Sequence, residues 1–319
     1  VEWIKAHFPF GLSFPWLGLG VSLSGWPQAL GMAEWTGEAG IAFWVAGVNG
    51  LICSALGAST SRKAGPLWIG ALCAVTFPAG LGVVRARTLT LEAGPRVVIV
   101  GTRVRPNLRA DEVHASEFSV NQIEGALARI PSGAADLVIL PEAALSISPE
   151  SVEARPYLAA LRSMASSLQT HLVFGAPGGS HGPVPSSDRP VEDITNSVYV
   201  LGPSGQILDR YDKSRLVPGM EAGRYVPGET SGIATVSGWT VGTLLCYESL
   251  FSGMARQRRR GGAQLLLSLS SDVWFGDEDS FSGSLFLHQH PAHLILRAVE
   301  NRMSVARAAN GGFSFVLSP

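Results

Sequence analysis

The hydrophobic pattern changes character once along the chain. Residues 39–58 carry no charge and neither do residues 65–84, so each run matches the roughly 20 apolar residues that cross a hydrocarbon core. One such run also fits a buried core helix. Two in succession, joined by a short Ser-Arg-Lys hinge, predict a pair of transmembrane helices, with Pro78 set to kink the second. Ahead of them, residues 1–35 are uncharged from Phe8 to Ala33 but are broken by Pro9, Pro15 and Pro27. No single straight helix fits such a segment, and with Trp3, Trp16, Trp26 and Trp35 it suits a membrane interface.

From Arg96 onward the pattern alternates between strand and helix. Strands are predicted at Val97–Thr102, Asp136–Leu140 and His171–Gly175, with helices at Ala110–Ile130 and Glu150–Thr170. Ser197–Leu201 and Gln206–Tyr211 flank a Gly-Pro-Ser-Gly turn and read as a hairpin. Gly232–Ser237 and Trp239–Leu245 meet at Gly238 and read as a second. A helix near Ser252–Gly261, the strand Gln264–Ser270, a helix near His290–Arg302 and strands from Ser304 and Gly312 complete the series. Alternation with interspersed hairpins predicts an α/β layered domain with mixed sheets, residues 96–319, behind a partial membrane domain of residues 1–95.

Composition adds little beyond this division. The 319 residues are 46% hydrophobic with a mean hydropathy of +0.23, and the excess lies in the first domain. A net charge of -1 without a basic stripe gives no reason to expect a nucleic-acid partner. Arg62 and Lys63 lie between the spans while Arg85, Arg87 and Arg96 follow them, so positive charge does not choose an orientation. Of three cysteines, Cys53 and Cys73 fall in the spans and only Cys246 lies in the second domain. That excludes a disulfide framework, and no Cys/His spacing suggests zinc; neither metal nor cofactor is expected. The chain opens at Val1 without Met and stops at Pro319 just after an apolar run, as a fragment of a longer protein does, and no signal peptide can be read.

Three reactive side chains fall just beyond predicted strands: Glu142, Lys213 and Cys246. Open α/β sheets carry their sites at the carboxyl ends of strands. A carboxylate can take a thiol proton, the thiolate can attack a carbonyl, and an ammonium can stabilise the resulting oxyanion. Ser249 opens a helical segment behind Cys246, so backbone N–H groups are expected to favour the thiolate. Taken singly, Cys246 reads as core, Lys213 as a solvated surface charge and Glu142 as a helix-start carboxylate; their joint placement is what weakens those readings.

Leu140-Pro141-Glu142, the run Tyr211-Asp212-Lys213-Ser214-Arg215-Leu216-Val217-Pro218, and Cys246-Tyr247-Glu248 resemble the three signatures of the nitrilase superfamily. That resemblance implies an αββα sandwich with a Glu-Lys-Cys triad. Phe14-Pro15-Trp16-Leu17, the two spans, Glu221, the run Ser270 to Gly276, and Gln289-His290 ahead of Arg297-Ala298-Val299-Glu300 are similar to the apolipoprotein N-acyltransferases within it. The resemblance implies Glu142 as general base and acid, Lys213 at the oxyanion, Cys246 as nucleophile, Glu221 supporting Lys213, and Tyr247 and Glu248 shaping the site. It further implies a multi-pass protein of the bacterial inner membrane with a periplasmic catalytic domain. The implied substrates are a phospholipid acyl donor and a diacylglyceryl lipoprotein acceptor. A membrane-tethered carbon-nitrogen hydrolase shares the same triad and is the alternative. The chain departs from the family at Ser271, where Asn is common, and in a shorter segment between Glu221 and Cys246.

Overall fold

The computed structural model describes residues 2–8, 13–104, 111–179, 194–276 and 279–319, so Pro9 of the interfacial segment lies outside the described residues. The chain divides into two compact units. One is Val1–Ala93 with Gln289–Met303 and Pro319; the other is Gly94–His288 with Ser304–Ser318.

The first unit holds α1 (Glu2–Ala6), 3-10 turns at Leu19–Leu23 and Pro27–Leu30, and the long helices α2 (Ala33–Leu56) and α3 (Ser61–Thr88). Only 17% of the apolar window of α2 and of α3 is buried, which leaves Phe43, Leu56, Ile69, Leu72 and Phe77 exposed. A core helix shows the reverse. Apolar surface on this scale is costly in water and at home among lipid chains, and the chain is accordingly membrane-associated. Pro78 lies within α3 and has no N–H for the carbonyl of Ala74 one turn back. The indole Nε1 of Trp44 donates to that carbonyl at 2.6 Å, so α2 supplies the hydrogen bond that α3 lacks. In α2, Gly37 takes φ 67 and ψ -175, a conformation restricted in practice to glycine. The break frees the N–H of Glu38, which donates to Glu300 Oε1 at 2.6 Å. Arg297, wholly buried, bonds Glu38 Oε2 at 2.5 Å and pairs with Glu300 Oε2 at 3.1 Å. Ala292 and Leu296 join Val21, Leu30, Ala33 and Ile41 in the apolar centre of this unit.

The second unit is built from β1 (Val97–Ile99), α4 (Glu112–Leu127), β2 (Leu137–Ile139), α5 (Arg155–Leu168), β3 (His171–Gly178), β4 (Thr195–Leu201) and β5 (Ile207–Asp212). It continues with β6 (Ile233–Val236), β7 (Trp239–Leu245), α6 (Ser252–Arg260), β8 (Leu265–Ser271), the start of α7 (Phe281–Asn301), β9 (Ser304–Asn310) and β10 (Phe315–Leu317). One sheet has the order β1-β2-β3-β4-β5 and the other β10-β9-β8-β7-β6.

Strand alternation sorts the apolar residues into layers. Val138, Leu172, Phe174, Tyr199 and Leu201 point outward into a core shared with Ile123 and Leu127 of α4 and with Leu158 and Leu161 of α5. Their neighbours Leu137, Ile139, Val173, Val198 and Val200 point the other way. They meet Val241, Leu245, Leu265, Leu267, Leu269, Ala306 and Ala308 of the facing sheet. Helix α6 covers the far side of that second sheet, lying so close to β7 that a Cβ on Gly242 would stand 2.6 Å from Cβ of Arg258. The result is the αββα sandwich that the resemblance implies.

Candidate active site

Strand direction explains why the three reactive residues converge. β2 and β3 are parallel, β4 runs back along β3, and β5 runs back along β4. β5 therefore points the same way as β2, and Lys213 leaves it at the edge where Glu142 leaves β2. In the facing sheet β7, β8 and β9 are parallel, and Cys246 follows the last residue of β7. Both exits bend through the left-handed region, at Ala143 with φ 55 and at Cys246 with φ 48. That conformation costs an L residue roughly 1–2 kcal/mol, so the surroundings must impose it. At Cys246 they do so through Glu248 Oε2, which accepts the Leu245 N–H at 2.9 Å, and through Ser249 Oγ, which donates to the Cys246 carbonyl at 2.8 Å. At Glu142 the backbone rests on Gly175, where an added Cβ would lie 2.6 Å from the Glu142 Cα.

Lys213 is 0% exposed. Its Nζ donates to Glu221 Oε1 at 2.8 Å and to Glu142 Oε1 at 3.4 Å. Burial works against its ammonium, but Glu142, Glu221 and Cys246 outweigh burial and hold its pKa well above the ordinary lysine range. An unpaired buried cation is expensive, and two carboxylates around one ammonium supply the pairing. The amide Nδ2 of Asn196 donates to the same two oxygens, at 2.8 Å to Glu142 and 2.9 Å to Glu221. Glu221 is held in turn by the Val217 N–H, 2.8 Å from its Oε2.

The thiol departs from expectation. Cys246–Leu250 forms a 3-10 turn, and the α-helix expected directly behind the thiol, α6, begins only at Ser252. Burial, and then the charge of Glu142, push the thiol above its ordinary range, with Lys213 pulling in the opposite direction. Both influences disfavour the thiolate, so a thiol in this position would need a neighbouring proton acceptor in order to attack.

Glu248 is wholly buried and faces donors rather than a reactant. Its Oε1 accepts from the Tyr211 hydroxyl at 2.6 Å, the Ser214 N–H at 2.9 Å, the Ser214 hydroxyl at 3.1 Å and the Arg215 N–H at 3.1 Å. With Oε2 on Leu245, this one carboxylate ties the loop after Lys213 to the turn before Cys246. Arg258 of α6 supports it from behind, donating to the Tyr211 hydroxyl at 3.0 Å and to the Thr243 carbonyl at 3.1 Å. Tyr247 is 5% exposed and packs edge-on against Phe251, with ring centroids 5.1 Å apart. Burial pushes its hydroxyl up to about 12, opposed by the charges of Arg215 and Lys213. Among the described residues no group of three or more His, Cys, Asp or Glu side chains is placed to hold a metal ion.

Asn196 is the site residue that the sequence pattern does not announce. It is the second residue of β4, and because β4 is antiparallel its amino end lies beside the carboxyl ends of β3 and β5. Its signal was the polar run Thr195-Asn196-Ser197 at the head of an otherwise apolar strand.

A model of the carbon-nitrogen hydrolases matches residues 115–319, and a model of the apolipoprotein N-acyltransferase N-terminal domain matches residues 1–51. An apolipoprotein N-acyltransferase from Geobacter metallireducens is 24% identical over 326 residues, covering 95% of this chain and 60% of the relative. One from Chlorobaculum tepidum is 26% identical over 349 residues, covering 97% and 64%. The chain thus spans about three fifths of the length of the curated relatives it matches. Among solved structures, an amidase mutant from Nesterenkonia sp. AN1 carries the acetamide moiety of fluoroacetamide covalently at its active-site cysteine. It superposes with a TM-score of 0.52 at 25% identity, covering 73% of this chain and 86% of that one.

Proposed function

The chain belongs to the carbon-nitrogen hydrolase family, and we propose that it moves a fatty acyl chain from a phospholipid to the α-amino group of a diacylglyceryl-cysteine lipoprotein. The observation that carries this reading is the buried Lys213, held between Glu142 and Glu221 and within electrostatic reach of the Cys246 thiol, in a chain with two lipid-suited helices. In the proposed first half-reaction Glu142 takes the thiol proton as sulfur adds to the ester carbonyl, and Lys213 stabilises the oxyanion. The tetrahedral intermediate collapses with loss of the lysophospholipid alkoxide, to which Glu142 returns the proton, leaving an acyl thioester on Cys246. In the second, the neutral α-amine adds to the thioester and gives its proton to Glu142. Collapse forms the amide and expels the thiolate, which recovers that proton. Glu221 keeps Lys213 charged, while Glu248 and Tyr247 shape the turn that bears the nucleophile.

The match of residues 1–51 to the acyltransferase N-terminal domain and the bacterial origin of the relatives support placing the protein in the bacterial inner membrane, with the catalytic unit on the periplasmic side. The likeness to an amidase favours one rival: hydrolysis of the thioester by water. The full-length protein in detergent micelles, given phospholipid, is expected to accumulate an acyl adduct on Cys246 by intact mass. That adduct should persist alone and discharge when a diacylglyceryl-cysteine peptide is added. Decay to free fatty acid at one rate with and without peptide would make the protein a hydrolase.

A further inference from the structure

Beside the triad stands a cation that the chemistry above does not use. The Arg215 N–H is fixed by Glu248 at 3.1 Å, and its guanidinium lies over the Phe251 ring, 5.5 Å from the centroid. Phe251 packs edge-on against Tyr247, the residue that follows the nucleophile. Apart from that ring contact the guanidinium makes no hydrogen bond or ion pair with any described residue, and Arg215 is exposed. An exposed arginine ordinarily moves through many rotamers. This one is anchored at its backbone, and its guanidinium carbon is held over an aromatic ring.

The charge balance at the triad gives this arrangement a purpose. Glu142 and Glu221 outnumber the one ammonium of Lys213, so the pocket repels an anionic substrate. A phospholipid donor is such a substrate, since its phosphate sits a few bonds from the ester that reacts. We propose that the Arg215 guanidinium binds the phosphodiester of the acyl donor and so selects phosphate-bearing lipids over neutral esters. This rests on the acyl-transfer reading. Arginine matches two phosphate oxygens with paired N–H groups, whereas lysine offers only a point charge.

The test compares initial rates of acyl-Cys246 formation by the full chain in neutral-detergent micelles, with phosphatidylglycerol and with p-nitrophenyl palmitate as donors. Arg215→Gln is expected to lower the preference for phosphatidylglycerol, as the ratio of the two kcat/KM values, by about ten- to a hundredfold. The change should lie in KM, and Arg215→Lys should recover part of it. Arg256→Gln, which removes an exposed charge on α6, should leave the ratio unchanged. An unchanged ratio in Arg215→Gln, or an equal fall in Arg256→Gln, overturns this inference while leaving acyl transfer standing. Absence of the Cys246 adduct with both donors in the unaltered protein overturns the acyl-transfer reading and this inference with it.

Discussion

The side-chain amide of Asn196 stands 2.8 Å from Oε1 of Glu142 and gives its second hydrogen to Glu221 at 2.9 Å. One neutral group thereby aligns two carboxylates that repel each other, and leaves Glu142 Oε2 as the oxygen not committed to Asn196 or Lys213. Asn196→Asp would set a third acid against a single ammonium and raise the pKa of the proposed base. Acyl-enzyme formation should fall about 100-fold or more, with the acid limb of its pH profile moved upward. Asn196→Ala should cost less, about tenfold, without adding charge. Single-turnover rates across the pH range decide the matter, and a wild-type acid limb in Asn196→Asp would remove Asn196 from the mechanism.

How much of this was legible in the chain depends on what kind of signal each residue carries. The apolar run Trp239–Leu245 reads as a strand with the observed limits, and the strand expected from Ser304 begins there, because both are buried nearly throughout. Helix ends were less faithful. α7 begins at Phe281 rather than near His290, and Pro291 lies in its interior. Residues 289–303 cluster with the first unit through Ala292 and Leu296, and an apolar stripe does not say which surface it will meet. At the site, Glu142, Lys213 and Cys246 stand out as reactive side chains just beyond the ends of strands. Asn196 did not, because its place at the same edge follows from strand direction, which emerges only on pairing. The thiol's environment was read with the wrong sign. The carboxylates and burial that raise it come from distant parts of the chain, whereas the helix expected to lower it was a local inference.

Lys213 fills a fully buried position between two carboxylates. Lys213→Arg keeps the charge but requires a planar fork where a compact ammonium fits. Acyl-enzyme formation should drop roughly 100-fold or more, the scale of losing one oxyanion donor. Near-normal turnover in that variant would place Lys213 outside the chemistry.

The pH dependence of Cys246 carries a sign in each direction. Glu142 pushes the thiol up and Lys213 pulls it down, so Glu142→Gln should move the pH midpoint of iodoacetamide alkylation downward and Lys213→Gln should move it upward. The experiment belongs in a Cys53→Ser, Cys73→Ser background, because both of those thiols are exposed. Because folding raises this thiol, its contribution to stability is present below the unfolded-state pKa and is lost as pH rises through the folded value. Midpoints that move together would refute the assigned environment.

In the membrane helices, Trp44 supplies the donor that Pro78 withholds from Ala74. Trp44→Phe should lower the melting temperature in micelles, by about 0.5–2 kcal/mol of stability. The same change should cost less in a Pro78→Ala background, where the backbone N–H is restored. Equal costs in both backgrounds would show that the indole contributes packing alone.

The position of Glu142 depends on an absent side chain. The Gly175 N–H donates to the Pro141 carbonyl at 3.1 Å, and its Cα faces the Glu142 backbone so closely that a Cβ would lie 2.6 Å from the Glu142 Cα and 2.9 Å from the Ala143 nitrogen. Both of those are backbone atoms and cannot swing aside, so Gly175→Ala must displace the turn that carries the proposed base. β3 is central in its sheet, between β2 and β4, and the strand itself tolerates alanine, so the sandwich should still form. A displacement of about 1 Å at a reacting group is enough to cost on the order of 100-fold in rate. Gly175→Ala is therefore expected to retain a cooperative melt and the alkylation of Cys246, yet to form the acyl-enzyme about 100-fold more slowly. Wild-type rates in a folded Gly175→Ala protein would show that the turn at Glu142 can shift without consequence, and that Glu142 is not the group whose placement limits the reaction.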